Sequence, residues 1–242
     1  MKMKKASTPN VLRLSRILET EYGKISWYPR RNAIDELVYT ILSQHTSDIN
    51  SERAFENLMT RFDSIEAISN ADVIQIEQCI KTAGLHKIKA ARIKEVLNII
   101  DTKTGGFDIS FLSEMPLEDA KTWLKSLPGI GPKTAAIVLC FSFGMPAMPV
   151  DTHIYRVSRR LRLIGPKVSA DKAHDLMEKI VPPDEIFSFH MYLIQHGRKV
   201  CKALKPRCSD CVVALMCPST VSYTHLRAHE TDSYLVCRLL LE

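Results

Sequence analysis

The chain has 242 residues, of which 45% are hydrophobic and 25% charged, and its formal net charge is +6. Such a composition is ordinary for a globular protein of one large domain or two small ones, and no apolar run is long enough to cross a bilayer. The basic N-terminus is followed by no apolar signal core, so we expect a cytoplasmic protein. The positive charge favours a polyanionic partner, although solubility alone would also explain it.

Hydrophobic residues recur at intervals of three and four along nearly the whole chain, which is the spacing of amphipathic helices. Glycines and prolines separate these stretches, and alternating strand patterns bounded by hairpin turns are absent from the sequence. We therefore predict an all-α fold with short connections. Beyond a first helix around Val11–Leu18 and a second around Ile34–Leu42, helices are predicted at Ser51–Phe62, Ile65–Ser69, Val73–Lys81, Lys87–Thr102, Leu117–Ser126, Pro132–Phe143, Thr152–Leu163, Ala170–Ile180 and Ile186–Val200.

A tight glycine turn joins two of these helices in the segment Leu127–Ala135, which reads Leu-Pro-Gly-Ile-Gly-Pro-Lys-Thr-Ala. Glycines allow positive φ, and Pro132 suits the first turn of the second helix. The amides of the turn and of the new helix would then point to one spot, a geometry that binds a phosphate oxygen. A plain helix–turn–helix connection would explain a bare Gly-x-Gly, but the longer string resembles the helix–hairpin–helix DNA-binding motif. Phosphate contacts of this kind position a protein on DNA without reading its sequence.

Lys133 lies in the first turn of the helix after this hairpin. The partial positive charge of a helix N-terminus disfavours an ammonium ion there, and partial burial would act in the same direction. A neutral amine is a nucleophile that can form a Schiff base with a sugar carbon. Judged by position alone, an ordinary phosphate-contacting lysine explains Lys133 equally well.

Asp151 follows Pro149-Val150 and precedes the helix predicted from Thr152. By itself it would be expected to cap that helix, a role worth about 1 kcal/mol. The 18 positions from Lys133 to Asp151 span a helix and a proline-rich return that can bring both side chains to one cleft. In that arrangement Lys133 would attack the anomeric carbon of a sugar, and Asp151 would stabilise the developing positive charge.

Four cysteines are spaced Cys-x6-Cys-x2-Cys-x5-Cys near the end of the predicted helices, at Cys201, Cys208, Cys211 and Cys217. Four thiolates in a short loop can hold either a tetrahedral zinc or a four-iron cluster. Zinc ribbons usually bring two Cys-x2-Cys pairs, and only one is present here. The spacing instead resembles the iron–sulfur loop of a DNA repair family, which predicts a [4Fe-4S] cluster. Cys79 and Cys140 lie in apolar helical stretches and are predicted to belong to the core.

The hairpin, the Val-Asp-Thr-His segment and the cysteine loop, in this order, resemble the endonuclease III family of DNA glycosylases and abasic-site lyases. The resemblance runs from about Ile25 to Cys217 and also includes Ile41–Asp48 and Ile80–Leu85. It implies two helical lobes: a six-helix bundle of residues 31–144, and a second lobe of residues 1–30 and 145–219 that carries the cluster. It also implies that double-stranded DNA lies across the cleft between the lobes, with the damaged nucleotide flipped out.

Further DNA-contact residues follow from this resemblance. Family members fill the space left by the flipped base with side chains from two loops, which match Gln44-His45 and Leu85 here; core packing is an equally good interpretation of Leu85. The family commonly has glutamine where this chain has His45, which leaves the assignment within that pair open. The remaining predicted DNA contacts are Leu127, Gly129, Gly131 and Thr134 in the hairpin and Lys202, Lys205 and Arg207 in the cysteine loop.

The lysine decides what activity the resemblance implies, because adenine-removing relatives lack it and use water. With Lys133 present, we expect a bifunctional monomeric enzyme that removes a damaged base, such as an oxidised pyrimidine, through a Schiff base and then cleaves by β-elimination. Three alternatives stay open: a non-catalytic DNA-binding module with a structural metal, a monofunctional mismatch glycosylase, and a zinc protein acting in protein interactions.

The last 23 residues, 220–242, stand apart from the rest of the chain. From Val221 onward the sequence resembles the conceptual translation of a sequencing-library adaptor, with two constant parts around a short variable index. We therefore predict a non-native tail and assign no role to His225, His229 or Cys237. A genuine short helix or strand is the alternative.

Overall fold

The computed structural model describes residues 10–220, so the predicted tail lies outside the described residues except for Thr220. Every regular element in residues 10–220 is helical, which confirms the prediction of an all-α fold. These residues form two compact units. One is Ser26–Pro149, and the described part of the other is residues 10–25 and 150–220.

The unit Ser26–Pro149 contains seven α-helices, one more than the bundle that the resemblance implies. They are α2 (Ala33–Ser43), α3 (Asp48–Phe62), α4 (Ile65–Asn70), α5 (Val73–Cys79), α6 (His86–Thr104), α7 (Leu117–Lys125) and α8 (Pro132–Phe143). The short helices α4 and α5 are separate because Asp72 caps the start of α5 in a reciprocal capping box with Gln75. Polar side chains cap three other helix starts, each by accepting a hydrogen bond from a backbone amide, at Asn32, Ser47 and Ser64.

Helix α8 lies at the centre of this unit, where it packs against α2 and α7. Its buried residues, among them Ala135, Val138 and Leu139, occupy several sides of the helix, which is the pattern of a helix surrounded by others. The Trp27 indole donates a 2.8 Å hydrogen bond to the carbonyl of Cys140, which is 1% exposed. The packing of α8 fixes the base of the hairpin that precedes it.

The other unit contains α1 (Val11–Tyr22), α9 (Thr152–Arg160), α10 (Ala170–Ile180) and α11 (Ile186–Lys199), followed by the cysteine loop. Helix α11 packs against both α9 and α1. The contact with α9 is close at Gly197, where an added Cβ would lie 2.9 Å from Cβ of His153. This close approach brings α9 next to the end of α11, from which the cysteine loop starts.

No helix within residues 10–220 is both long and apolar enough to cross a membrane.

Candidate active site and cysteine loop

The predicted hairpin is present between α7 and α8. Gly129 has a φ of +70°, a conformation that favours glycine, and Leu127 and Ile130 anchor the turn in the core. The amide of Ile130 donates to the Leu127 carbonyl, whereas within residues 10–220 the amides of Gly129, Gly131 and Lys133 donate to no protein acceptor. Three unused amides at the start of a helix are the arrangement that binds an anion.

Two of the predicted DNA contacts in the hairpin are buried instead. Leu127 is 2% exposed, its amide donates to the Leu124 carbonyl in α7, and its carbonyl accepts from the amide of Ile130. Thr134 is 5% exposed and lies within 3.5 Å of the Gln44 side-chain amide. The side chains of both residues therefore face the protein interior, and the role of Leu127 and Thr134 in DNA binding stays a prediction.

Lys133 occupies the first turn of α8 and its side chain is exposed. The partial burial considered from the sequence is not found, because Pro132 and Lys133 lie on the outer side of a helix whose next residues turn into the core. The amine can therefore be reached from solvent next to the unused amides of the hairpin.

Asp151 is the N-cap of α9, and its Oδ1 accepts a 2.7 Å hydrogen bond from the amide of Ile154. The residue before it is also held, because the amide of Val150 donates to Nδ1 of the buried His174 at 3.2 Å. One carboxylate oxygen is thus fixed by the helix start, and the backbone leading to it is fixed by an imidazole. Lys133 belongs to the unit Ser26–Pro149 and Asp151 to the other, so their pairing stays a prediction.

Of the polar pair Gln44-His45, only one side chain projects freely. The Gln44 side-chain amide donates to the Gly129 carbonyl at 3.5 Å, so Gln44 faces the hairpin. His45 is exposed and has a φ of +53°. Leu85 is 54% exposed and has a φ of +47°, so the interpretation of Leu85 as a core residue is wrong. His45 and Leu85 are thus two exposed residues in left-handed conformations.

All four predicted cysteine ligands line one cavity, together with apolar side chains such as Val157 and Val213. Arg160 of α9 donates hydrogen bonds to the carbonyls of Cys201, Lys202 and Ala203 and lies 3.3 Å from the Cys201 sulfur. A helix that begins at Asp151 therefore holds the first part of the cysteine loop through its last residue.

A chain of hydrogen bonds through two side chains reaches another of these sulfurs. The Tyr22 hydroxyl lies 2.9 Å from Nδ1 of His196, and Nε2 of His196 lies 3.5 Å from the Cys211 sulfur. Burial lowers the pKa of His196 to about 4 and raises that of Tyr22 to about 12, so the phenol donates to the neutral ring and the ring can donate to the sulfur. Burial raises the pKa of the free Cys211 thiol to about 11, so metal binding must displace its proton.

The basic residues predicted between the first two cysteines differ in the contacts that they make within the protein. Lys202 and Lys205 are exposed. Arg207 is also exposed but donates a 2.9 Å hydrogen bond to the Lys199 carbonyl and lies 3.9 Å from Asp210. The charged groups of Lys202 and Lys205 are therefore exposed, whereas Arg207 also stabilises the loop through its own contacts.

The family model described as "HhH-GPD superfamily base excision DNA repair protein" matches residues 38–183, which contain both the hairpin and Asp151. The chain belongs to this superfamily. Endonuclease III of Thermotoga maritima is 32% identical over 181 residues, which cover 75% of this chain and 80% of that protein.

Two solved structures of endonuclease III share the fold of this HhH-GPD chain. One is a non-covalent complex with DNA, with a TM-score of 0.75 and 25% identity over 89% of this chain and 97% of that one. The other is a trapped covalent DNA intermediate, with a TM-score of 0.73 and 25% identity over 89% and 99%. The predicted endonuclease III family, fold class and base-excision DNA glycosylase/lyase class are confirmed.

Sequence reasoning missed the residues that support the site. Arg160, His174 and Lys89 each bind backbone or side-chain atoms far away in sequence, and such pairings leave no local spacing pattern. One signal was available for Lys89, which stands on the apolar face of its helix near Ala90 and Ile93. A lysine at such a position has to find oxygen partners inside the protein.

Proposed function

We propose that Lys133 is the nucleophile of a DNA glycosylase and abasic-site lyase that acts on double-stranded DNA, with Asp151 as its electrostatic partner. The observation that carries this proposal is an exposed lysine in the first turn of α8 beside three amides with no protein acceptor. A phosphate bound by those amides would place the neighbouring sugar within reach of the lysine.

The chemistry then follows from an amine and a carboxylate. The Lys133 nitrogen attacks C1′, and the bond from C1′ to the base breaks, so that its electron pair leaves with the base. The amine loses a proton and the sugar ring opens to give an imine. Loss of a C2′ proton then expels the 3′ phosphate by β-elimination, and water releases the lysine. A carboxylate at Asp151 stabilises the positive charge that develops on the sugar.

The cysteine loop is proposed to hold a [4Fe-4S] cluster through Cys201, Cys208, Cys211 and Cys217. The four side chains line one cavity. A four-iron cluster takes one thiolate on each iron, so four thiolates around one cavity are the donor set that it requires. When bound, the cluster would fix the loop that presents Lys202 and Lys205.

The DNA surface in this proposal combines the hairpin amides with four exposed side chains. Lys202 and Lys205 would contact phosphates, and His45 and Leu85 would fill the space left by the flipped nucleotide. The lesion follows from the family resemblance as a damaged base such as an oxidised pyrimidine. We further propose that the protein acts as a monomer in the cytoplasm, at the nucleoid.

Borohydride trapping tests the nucleophile. Wild-type protein incubated with a thymine-glycol duplex and borohydride should form a covalent adduct, and Lys133→Gln should form none while still binding the duplex. Lys125→Gln is the matched control, because it removes an exposed lysine from the last turn of α7 just before the hairpin. An adduct that persists in Lys133→Gln would assign the nucleophile to another residue. A panel of lesion duplexes on the same variants defines the base preference.

A further inference from the structure

Lys89 is a buried lysine whose ammonium group joins two separate loops. Its side chain is 3% exposed, and Nζ donates to the carbonyls of Leu42 and Ala83, both at 2.7 Å, and to Oγ1 of Thr46 at 2.9 Å. An ammonium group has three N–H donors, so all of them are used. The Thr46 hydroxyl in turn donates to the Ala83 carbonyl, so the two loops are joined directly as well.

None of these partners carries a charge, which makes the position unusual. A buried charge is costly unless it is paired or fully hydrogen-bonded. Burial lowers the pKa of Lys89 to about 8, which records the cost of keeping the ammonium in this place. A methionine would fill similar space without that cost, so the hydrogen bonds to the two loops are what the lysine adds.

Each joined loop carries one exposed residue in a left-handed conformation. His45 lies between Leu42 and Thr46 in the chain, and Leu85 follows Ala83 by two residues. Their φ values are +53° and +47°, and a residue with a Cβ is sterically strained in the left-handed region. Such strain persists where the surrounding structure fixes the backbone, and it concentrates at functional sites.

The loop that carries His45 also contacts the hairpin. Gln44, next to His45, donates to the Gly129 carbonyl, and within residues 10–220 the amides of Gly129 and Gly131 donate to no protein acceptor. His45 is therefore next to a residue that bonds to the hairpin, and Leu85 is connected to the same loop through Lys89. The hairpin is the element that would hold the DNA backbone. Leu85 is apolar and 54% exposed, which suits insertion between bases better than contact with water.

We propose that Lys89 is a positioning residue that locks the loop of His45 and the loop of Leu85 into one rigid platform, so that both side chains enter the duplex together when a damaged nucleotide is extruded. This inference rests on the proposed function. Without Lys89 the loops would keep their sequences but lose their common anchor, and extrusion would become less favourable while the chemistry at Lys133 stayed intact.

The test compares Lys89→Met with Lys87→Met, which removes the same charge from an exposed position in the same helical turn. A duplex carries the lesion next to 2-aminopurine, whose fluorescence rises when its neighbour unstacks. At saturating protein, Lys89→Met should give at least a tenfold smaller population of extruded nucleotide than wild type, and Lys87→Met should equal wild type. Trapping to an abasic site in single-stranded DNA, where no pair has to be opened, should be unchanged in both variants.

Four outcomes separate the possibilities. Equal fluorescence rises in Lys89→Met and wild type would overturn the inference, as would an equal loss on the duplex and the single strand. If Lys89→Met fails to fold, Thr46→Val removes the hydroxyl bridge with little change in shape, and unchanged extrusion in Thr46→Val would then overturn it. A wild type that neither extrudes nor traps would instead contradict the proposed function.

Discussion

The guanidinium group of Arg92 on α6 lies against Gly129 in the hairpin, so that a Cβ added to Gly129 would lie 2.7 Å from Cζ of Arg92. Gly129→Ala is therefore expected to lower the free energy of unfolding by about 1–2 kcal/mol through its positive φ alone, with a further loss from displacing Arg92. Urea unfolding measures the loss, and duplex affinity should fall with it.

Two controls belong to that prediction. Gly131→Ala should change stability by less than about 0.5 kcal/mol, because Gly131 has a φ of −94° and open space around its added Cβ. Adding Arg92→Ala to Gly129→Ala should recover the part of the loss that comes from the contact. Equal losses in the two glycine variants would contradict the role of the contact.

Two substitutions distinguish the structural role of Asp151 from its chemical role. Asp151→Asn should leave stability within about 0.5 kcal/mol, because asparagine is an equally good N-cap, yet lower the rate of base release by about 100-fold or more because the charge is lost. Asp151→Ala should lose the same activity and about 1 kcal/mol of stability as well. Single-turnover kinetics and thermal melts check both. Full activity in Asp151→Asn would exclude an electrostatic role.

Arg160 is expected to be needed for cluster retention. Arg160→Met removes the hydrogen bonds to three loop carbonyls and should cost about 2–4 kcal/mol. Visible absorbance and iron content of purified protein should fall together. Arg159→Met is the control, since Arg159 is exposed and stacks only over the Tyr155 ring, 5.5 Å from its centroid. Retention of iron in Arg160→Met would show that the cysteines alone fix the loop.

The lowered pKa of Lys89 leads to a prediction of how the free energy of unfolding depends on pH. Its pKa is about 8 in the folded protein against a model-peptide value of 10.5, so between these values the unfolded chain binds more protons than the folded one. The free energy of unfolding of wild type, relative to Lys89→Met, should therefore be flat below pH 8 and rise by at most about 3–4 kcal/mol towards pH 10.5. Urea unfolding at four pH values measures this difference. A flat difference would contradict the lowered pKa.

The sequence was sufficient to predict those parts of the site that are formed by residues close together in the chain. The hairpin, its glycine turn and the cap at Asp151 are local patterns of a few residues, and the structure contains all three. The cysteine spacing likewise placed four side chains around one cavity. Local patterns did not show that the side chains of Leu127 and Thr134 turn into the core, where they support the turn from the inside.

Contacts between distant residues could not be predicted in this way. Arg160 meets the cysteine loop 41 to 43 residues later, and Lys89 meets the Leu42 carbonyl 47 residues earlier. Nothing in the sequence near either residue encodes its partner, because the partner is a backbone carbonyl that any residue could supply. The sequence does not predict the positive φ of Leu85, because leucine rarely adopts it, and at His45 the residue type is only a weak signal, because histidine is enriched at positive φ but seldom found there.

The left-handed residues bear on how this protein could be made more heat-resistant. Glycine in place of such a residue removes the steric cost of the left-handed conformation, and Asp63 at the end of α3, with a φ of +58°, is an obvious first choice. Arg162, with a φ of +55°, is a second. The same treatment at His45 or Leu85 would relax the backbone but delete the side chain that the conformation displays. A variant designed on backbone geometry alone would therefore gain thermal stability but lose repair activity if His45 or Leu85 were among the residues replaced.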